Sequence, residues 1–395
     1  MRIVYLAWHG SVHTRRWAGW FAERGHDVHV VTCGGGDVRD TDIDGRALPL
    51  RYRVHELGTP RAGKLGYVLK LHVARRAVRA LDPEVLHAHW LTSYGLLALA
   101  AVRKRDALVV TAHGDDVLIA PRNPLLRGIV RRVLRRARLI TVPSDPMRDA
   151  VVQLLEPVAP PAAGIAVFQY GVESGRLAAA GTRERVSLGR REGAALRVVS
   201  ARALLDLYRI DALLDALALL TENGTSYHCD LLGDGPAREA LEAQAAKLGI
   251  ADYVTFHGNV HPAQVERYVA RSDAYVSVSE SDGVSLALLE ALALGAVPVL
   301  SDIPANRPWV NDGSTGMLVA IDPADIAHGI TRAASLDRER VAADNLAVVA
   351  ERADRDTNLA ACELLVDSLV GVTWDASPVV ADADDPRAEA DADAA

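Results

Sequence analysis

The sequence predicts an α/β protein made of two doubly wound, Rossmann-like domains that face each other across a cleft. Three observations lead to this fold class. With 395 residues, the chain is too long for one compact core and suits two domains of ordinary size. Short apolar runs alternate with segments of helical period, as they do in parallel α/β sheets. The alternation pauses near residue 185 and then starts again.

The first half of the chain alternates predicted strands with predicted helices. The strand segments are Ile3–Ala7, Val28–Thr32, Val85–Ala88, Leu108–Ala112 and Leu139–Val142. The helical segments are His13–Arg24, Lys64–Leu81, Ser93–Lys104 and Pro124–Arg136. Because strands that alternate with helices are joined by right-handed crossovers, this pattern predicts a parallel sheet.

The second half repeats the same pattern. Its strand segments are Val198–Ser200, Cys229–Leu232, Val254–Phe256, Ala274–Val278 and Val297–Leu300. Its helical segments are Ile210–Leu220, Ala237–Leu248, Leu286–Leu294 and Pro323–Ala334. In open sheets of this kind, ligands bind at the carboxyl ends of strands and at helix N-termini, so the cleft residues should follow strands.

The pauses in the pattern predict the domain limits. The polar, Arg-rich stretch 181–193 separates an N-terminal domain, residues 1–180, from a C-terminal domain, residues 181–358. Residues 359–374 contain a helical segment without a strand partner, which we expect to pack across the joint. Residues 375–395 are mostly Ala, Asp, Glu and Pro, a composition that predicts a disordered acidic tail.

Composition excludes several classes of protein. The three cysteines, Cys33, Cys229 and Cys362, lie far apart, which argues against a disulfide framework or a zinc site and favours a reducing cytosol. The N-terminus enters a strand pattern directly, without the features of a signal peptide. No apolar run reaches the roughly 20 residues of a membrane-spanning helix. We expect a soluble, cytoplasmic protein.

The segment from Asp282 to Leu300 carries the most information. Ser285 is a plausible N-cap for an apolar helix that Gly295 ends, and a buried strand follows. The free N–H groups at residues 285–287 can hold a diphosphate. Glu290 on the same helix can accept hydrogen bonds from two ribose hydroxyls, and Asp282 can bind hydroxyls of a sugar. The alternative is an ordinary capped helix with two solvated acids, although a charge in an apolar helix then needs a partner.

This segment resembles the E-x7-E region of the GT-B glycosyltransferases of family 4, retaining enzymes that use nucleotide-sugars. Glu290 matches the second acid of that pattern, and Asp282 stands where the family has its first Glu. The resemblance implies that Glu290 binds the ribose and that the backbone N–H groups of Ser285 and Leu286 bind the diphosphate. It also implies that Asp282 orients the donor sugar. Glu280 is the fallback for this role, although its spacing to Glu290 does not match the family pattern.

Other motifs extend the resemblance over nearly the whole chain. The turn Leu232-Gly-Asp-Gly-Pro236 matches the family's Gly-x-Gly-Pro, which implies a donor-site role for Gly233. The segment Phe256-His-Gly-Asn-Val260 matches the loop that offers backbone groups to the nucleobase, which implicates Val260. Segments 301–304 and 311–319 match the family's closing strand pair. At the front, His13-Thr-Arg-Arg-Trp17 and the Gly-His-x-Val turn beginning at Gly25 match the first helix and the second strand.

The departing diphosphate needs cations or N–H dipoles beside it, because negative charge develops there as the sugar leaves. In the family, an Arg after a strand and a nearby Lys supply that charge. Arg202 occupies the place of the Arg, and Tyr208 stands about where the Lys belongs. Arg209 is the residue that we consider as a substitute for this Lys. The alternative is that Arg209 is simply solvated in the first turn of its helix.

Three loops of the N-terminal domain supply the remaining candidates. His113 follows a strand and matches the family's His-Gly-x-Asp segment, which implies contact with the donor sugar or stabilisation of charge near the anomeric carbon. Asp115 and Asp116 are weaker candidates, since helix capping explains either. Gly10 lets a backbone approach the diphosphate or the acceptor closely. His87 and His89 lack a third metal ligand at useful spacing, so acceptor-site or packing roles are favoured.

The charge distribution suggests an anionic partner. The net charge of −7 combines +10 over residues 1–180 with −17 over the rest. No recognised nucleic-acid motif is present, so a membrane surface or a phosphate-bearing acceptor is favoured. Arg127–Arg138 is a basic amphipathic segment, and it is either a solvated helix face or a surface that holds the enzyme on anionic lipid at the inner face of the membrane.

The sequence therefore predicts transfer of a sugar from a nucleotide-diphosphate-sugar to a glycan or lipid-linked hydroxyl acceptor, with retention, without metal and without another cofactor. We expect this chemistry in the synthesis of cell-surface polysaccharide, glycolipid or glycoconjugate. The alternative is a degenerate protein of the same fold that binds nucleotide-sugar as a scaffold or regulator. A nicotinamide-dependent enzyme is disfavoured, because no Gly-x-Gly-x-x-Gly follows the first strand.

Overall fold

The computed structural model describes residues 1–40, 47–60, 63–161, 163–188 and 194–371. The predicted acidic tail, 375–395, lies outside the described residues, and so does part of the predicted Arg-rich stretch 181–193. Among the helices that are described, none has both the length and the apolar character needed to cross a bilayer.

In the described part of the chain, seven parallel strands form the first sheet, in the order β3-β2-β1-β4-β5-β6-β7. They are β1 (Arg2–Leu6), β2 (Asp27–Thr32), β3 (Arg53–Glu56), β4 (Val85–His89), β5 (Ala107–Thr111), β6 (Leu139–Val142) and β7 (Ile165–Val167). The central strands are buried on both faces, which explains their continuous apolar sequence.

Helices cover both faces of this sheet. They are α1 (Val12–Glu23), α2 (Leu71–Leu81), α3 (Tyr94–Ala101), α4 (Asp115–Leu118), α5 (Pro124–Arg136) and α6 (Asp145–Leu155). The segment predicted as one helix from Lys64 to Leu81 has two parts, since a 3-10 helix over Gly63–Lys70 precedes α2. We call this sheet with its helices the first lobe.

The second sheet has six parallel strands in the described residues, in the order β10-β9-β8-β11-β12-β13. They are β8 (Leu196–Ala201), β9 (Tyr227–Leu232), β10 (Val254–Gly258), β11 (Ala274–Ser277), β12 (Pro298–Ser301) and β13 (Met317–Val319). Counted from its own first strand, this order is 3-2-1-4-5-6, which is the doubly wound Rossmann order. The prediction of two such sheets is confirmed.

Helices also enclose the second sheet, and together they form the second lobe. They are α7 (Ser174–Leu188), α8 (Ile210–Glu222), α9 (Arg238–Lys247), α10 (Pro262–Arg271), α11 (Leu286–Ala293), α12 (Pro323–Ser335) and α13 (Arg338–Arg352). Helix α7 begins before the predicted boundary at residue 180 and packs on α10 and α11, because Leu177 and Ala180 enter their apolar core.

The last helix returns to the first lobe. Helix α14 (Arg355–Val370) begins four residues before the predicted helix and contacts α1 and β5. Leu359, Cys362 and Val366 are buried in the same core as Trp17 of α1. The carboxylate of Glu363 accepts hydrogen bonds from His26 Nε2 at 2.6 Å and from Arg24 Nε at 2.7 Å. Helix α14 therefore links α13 of the second lobe to the first lobe.

Candidate active site

The second lobe places an arginine and an acid in the loops after two neighbouring strands, at the point where the strand order reverses. Arg202 directly follows β8, and Asp282 lies in the loop after β11. Strands β8 and β11 are adjacent, yet their sequence neighbours lie on opposite sides, so this is the switch point of the sheet. Crevices at switch points are the usual ligand sites of doubly wound sheets.

Arg202 binds both the loop and the start of α11. Its Nη2 donates to Asp282 Oδ2 at 2.6 Å, and its Nη1 donates to Ser285 Oγ at 2.5 Å. The Tyr208 ring lies 3.9 Å from the guanidinium carbon, in a cation–π contact. Only 7% of the Arg202 side chain is exposed, so these partners hold the cation at the helix N-terminus.

Helix α11 begins and ends as its sequence predicts. Ser285 is the N-cap, and its Oγ accepts a hydrogen bond from Leu288 N at 3.3 Å. Gly295, just beyond the helix, has a φ of +77°, a left-handed conformation that favours glycine. The first N–H groups of a helix have no partner within the helix, so the N-terminus of α11 carries a partial positive charge beside Arg202.

Glu290 lies one turn further along α11 and is shared with the first lobe. Its Oε1 accepts a hydrogen bond from Arg16 Nη2 of α1 at 3.3 Å. Burial raises the pKa of the Glu290 carboxyl, and Arg16 opposes that shift. The half-buried acid that the sequence left without a partner is therefore paired across the two lobes.

Glycine at position 233 allows two loops to approach each other closely. Gly233 has a φ of +143°, and a Cβ atom on it would lie 2.2 Å from the carbonyl oxygen of Arg202. Its N–H donates to the carbonyl of Gly258 at 2.8 Å. Val260, two residues later, packs against the apolar core that includes α11. The turns after β8, β9 and β10 thus meet beside the arginine.

Arg209 is held by acids rather than aimed at the α11 N-terminus. Its guanidinium bonds Asp211 with Nη2 at 2.9 Å and Glu280 with Nη1 at 3.2 Å. Its φ of +47° places it in the left-handed region just before α8. Contact between Arg209 and the donor stays a prediction, as does the fallback role of Glu280.

The family models match both lobes in order. A model described as "Glycosyl transferase 4-like" matches residues 2–144, and one described as "Glycosyl transferases group 1" matches residues 182–347. The GDP-mannose-dependent alpha-(1-6)-phosphatidylinositol monomannoside mannosyltransferase of Mycobacterium tuberculosis is 27% identical over 286 residues, which cover 68% of this chain and 71% of the relative.

Two solved structures share the fold. Sucrose-phosphate synthase from Thermosynechococcus elongatus superposes with a TM-score of 0.73 at 16% identity, covering 94% of this chain and 100% of that one. Anabaena HepE in complex with UDP superposes with a TM-score of 0.68 at 19% identity, covering 93% and 100%. The chain is a GT-B glycosyltransferase of family 4.

In this glycosyltransferase, His113 follows β5 and is enclosed by aromatic rings. Trp90 stacks on one face of the imidazole with a centroid distance of 4.0 Å. Tyr170 Oη donates to the Ala112 carbonyl at 2.9 Å, so it accepts from His113 Nδ1 at 3.0 Å. His89 Nδ1 then donates to His113 Nε2 at 3.0 Å.

Both ring nitrogens of His113 are therefore engaged by protein groups, and burial lowers the pKa of His113 well below its usual value. The imidazole is neutral at physiological pH. The role that the resemblance implies for it, contact with the donor sugar or stabilisation of charge, stays a prediction. Sequence reasoning placed the histidine after its strand but had no signal for Tyr170 or for the link to His89.

The neighbouring acids of the glycosyltransferase differ in burial. Asp116 is buried and accepts from the backbone N–H groups of Leu91, His113 and Gly114, between 2.9 and 3.1 Å. Burial raises the pKa of Asp116, and these three N–H groups oppose the shift. Asp116 thus holds the two loops after β4 and β5 together. Neither acid is the N-cap of α4, which is Gly114, and Asp115 is exposed.

Gly10 lies after β1, at the switch point of the first sheet. A Cβ atom on Gly10 would lie 2.5 Å from the Trp8 ring, and one on Gly35 would lie 2.7 Å from the Gly10 nitrogen. Glycine at both positions therefore lets two loops pack together, while the proposed approach of a ligand to Gly10 stays a prediction. Among the described residues, no group of three or more His, Cys, Asp or Glu is arranged to hold a metal ion.

Proposed function

We propose that this glycosyltransferase moves a sugar from a nucleotide-diphosphate-sugar to a hydroxyl group with retention of anomeric configuration, in the synthesis of cell-surface polysaccharide, glycolipid or glycoconjugate. The observation that carries the proposal is the contact of Arg202 with Asp282 and Ser285 at the N-terminus of α11. A buried cation beside a helix N-terminus forms a binding site for an anion. The donor of this family, a nucleotide-diphosphate-sugar, carries such an anion in its diphosphate.

Each part of the donor has a matching group. The diphosphate binds Arg202 and the N–H groups of Ser285 and Leu286, while Asp282 accepts from hydroxyls of the sugar. Glu290 lies five residues beyond Ser285, about 7.5 Å along the helix axis, which suits a ribose attached to the diphosphate. The turns at Gly233 and Val260 border the nucleobase. The GDP-mannose dependence named for the mycobacterial relative and the UDP bound to HepE support a nucleotide donor.

The transfer follows a same-face displacement. The bond between the anomeric carbon and the diphosphate oxygen breaks, and the acceptor oxygen bonds to the same face of that carbon. The acceptor proton passes to the departing diphosphate oxygen. Arg202 and the helix N-terminus stabilise the charge that develops on the leaving group, so the step uses no metal ion and no carboxylate nucleophile.

A membrane-bound acceptor suits the surface of the first lobe. Helices α2 and α5 both pack against α3, and residues 57–81 and 117–144 contain no acid. Four arginines of the predicted basic segment, Arg127, Arg132, Arg135 and Arg138, are exposed. Exposed apolar residues accompany them, among them Leu69 at 78% and Leu125 at 69%. This combination favours peripheral binding to anionic lipid on the cytoplasmic side.

Donor turnover tests the catalytic proposal. The purified protein is incubated with UDP-, GDP- and dTDP-sugars, and release of the nucleoside diphosphate is measured by coupled assay and mass spectrometry. We expect slow hydrolysis of one donor, which Arg202→Gln reduces about 100-fold, since a lost charge-stabilising group costs about that much. An NMR assignment of the product anomer then tests retention. Binding of a donor without any release would favour the scaffold alternative.

Vesicle sedimentation tests the membrane proposal. We expect binding to vesicles that contain phosphatidylglycerol and little binding to pure phosphatidylcholine. The double variant Arg132→Gln/Arg135→Gln should bind at least about tenfold more weakly, because each arginine near an anionic surface contributes about 1 kcal/mol. Arg332→Gln/Arg340→Gln, with two exposed arginines of the second lobe, is the matched control. Equal binding of both double variants would contradict this surface.

A further inference from the structure

Arg16 and Glu290 join the two lobes at the proposed ribose site. The two residues are separated by 274 positions in sequence, and Arg16 Nη2 lies 3.3 Å from Glu290 Oε1. Each side chain is 31% exposed, so the pair is neither freely solvated nor sealed in the core. Arg16 lies on α1, which begins two residues after Gly10, and the ring of His13 on the same helix lies 5.9 Å from the ring of His113. The contact therefore brings the first lobe to the nucleotide-binding helix.

The surroundings of Glu290 disfavour its ionised form, whereas Arg16 favours that form. Burial raises the pKa of Glu290, and the nearby Glu266 of α10 raises it further. Arg16 lowers it through its charge and its hydrogen bond, and Arg176 of α7 lowers it slightly. Arg176 also donates two hydrogen bonds to Glu266, at 2.8 and 3.0 Å, so much of the positive charge of Arg176 is already neutralised by that acid.

Two further groups face this pair. Glu173, in the turn before α7, feels the charge of Arg16, and its own carboxylate binds Arg355 Nη2 at 3.1 Å. Tyr275 of β11 is buried and keeps its proton, since burial raises its pKa to about 12. Of the groups that face Glu290, Arg16 is thus the cation that contacts it directly.

An ionised carboxylate is what a ribose requires. The anion has two oxygens that only accept, and the two hydroxyls of a ribose both donate to it. A protonated carboxyl presents a donor in place of one acceptor, and the hydrogen bonds that remain lose the strength that charge confers. Oxygen Oε1 is in contact with Arg16, and the carboxylate retains acceptor capacity for hydroxyls, since it has about four lone-pair positions.

We propose that Arg16 is a positioning residue for donor binding, which holds Glu290 in place as an anion so that the ribose subsite of the second lobe is complete only when the first lobe lies against it. This inference rests on the proposed function, because it assigns Glu290 to the ribose. Arg16 itself need not touch the donor. Its effect reaches the donor through the charge and orientation of Glu290.

The pH dependence of donor affinity tests the proposal. Calorimetric Kd values for UDP-glucose and GDP-mannose are measured from about pH 5.5 to about pH 8.5 for the wild type, Arg16→Gln and Arg16→Lys. A sugar ester of a diphosphate lacks the terminal phosphate group that titrates near pH ~6, so the probe adds no titration of its own. Arg148→Gln is the matched control, because it removes a partly exposed arginine of the first lobe that pairs with Asp145 at 2.6 Å.

In Arg16→Gln, affinity should begin to fall at a higher pH than in the wild type, since the raised pKa of Glu290 is then no longer opposed by the arginine. The loss should be about fivefold near pH 6 and about twofold or less near pH 8, as for other partly exposed ion pairs. Arg16→Lys should restore the wild-type pH profile, and Arg148→Gln should not change it. Thermal unfolding of each variant shows that the fold is kept.

Two results would overturn the inference. If Arg16→Gln kept the wild-type pH profile, Arg16 would not hold the charge of Glu290. If it bound donor more tightly at every pH, Arg16 would compete with the ribose. Failure of the proposed function gives a different result, because the wild type itself would then bind neither nucleotide-sugar.

Discussion

The Arg202 guanidinium lies 2.6 Å from the Asp282 carboxylate, and the two residues come from loops after adjacent strands at the switch point of the second sheet. Asp282 stands where the family pattern has Glu, and its shorter side chain still reaches Arg202, the arginine that we propose stabilises the leaving group. Because 18% of the Asp282 side chain is exposed, the carboxylate can serve both Arg202 and a sugar hydroxyl.

Removal of the Asp282 carboxylate should reduce turnover more than stability. We expect Asp282→Ala to lower donor hydrolysis about 10- to 100-fold, since a hydrogen bond to a charged group contributes about 1.5–3 kcal/mol. Asp282→Glu should keep most of the activity, because it restores the acid of the family pattern. Asp252→Ala removes an exposed acid remote from α11 and is the control. Full activity of Asp282→Ala would exclude a role of this acid in donor turnover.

The ring of Tyr208 should hold Arg202 in place for its proposed role at the leaving group. It lies 3.9 Å from the guanidinium carbon of Arg202, so Tyr208→Ala should lower kcat by about two- to fivefold, the equivalent of a cation–π contact of about 0.5–1 kcal/mol. Tyr208→Phe keeps the ring and should behave as the wild type. Steady-state kinetics with the preferred donor make the comparison, and equal loss in both variants would assign the effect to the hydroxyl.

Gly233 should tolerate no side chain. A Cβ atom would lie 2.2 Å from the Arg202 carbonyl oxygen, and the φ of +143° adds strain for any L-residue. We expect Gly233→Ala to lower the free energy of unfolding by at least about 2 kcal/mol. Gly224→Ala is the control, because Gly224 also has a positive φ but nothing lies within 4 Å of its Cβ position. Urea unfolding measures both, and equal losses would exclude the steric explanation.

Buried neutral histidines should make the first lobe sensitive to acid. His87 is 1% exposed, and burial lowers its pKa to about 3. The unfolded chain binds a proton below pH ~6.5 while the folded chain does not, so stability falls as the pH drops from there towards the folded value. Between pH 7 and pH 5 this one residue should cost about 2 kcal/mol.

Urea titrations at the two pH values measure this dependence. His87→Gln cannot gain a proton in the unfolded chain, so its free energy of unfolding should change less between pH 7 and pH 5 than that of the wild type. The exposed His72→Gln, on α2, should change as much as the wild type does. A wild-type stability that is constant from pH 7 to pH 5 would contradict the prediction.

The sequence predicts the local part of the site well. The cap at Ser285, the end of α11 near Gly295 and the strand ends before Arg202 and His113 all follow from short patterns, since capping and burial act over a few residues. Helix α7 is not predicted by the local pattern, because it continues to Leu188 through a stretch whose polar composition suggested a linker. Packing on α10 and α11 overrides that composition.

The sequence by itself determined two doubly wound sheets, the apolar helix that carries Glu290 and an arginine at the end of a strand. Periodicity, caps and strand ends are properties of neighbouring residues, so they can be read along the chain. Only the tertiary structure decided that Arg16 meets Glu290 and that Tyr170 and His89 engage His113. Those partners are brought together by the packing of distant elements, and a side chain's partner depends on geometry that no local pattern encodes.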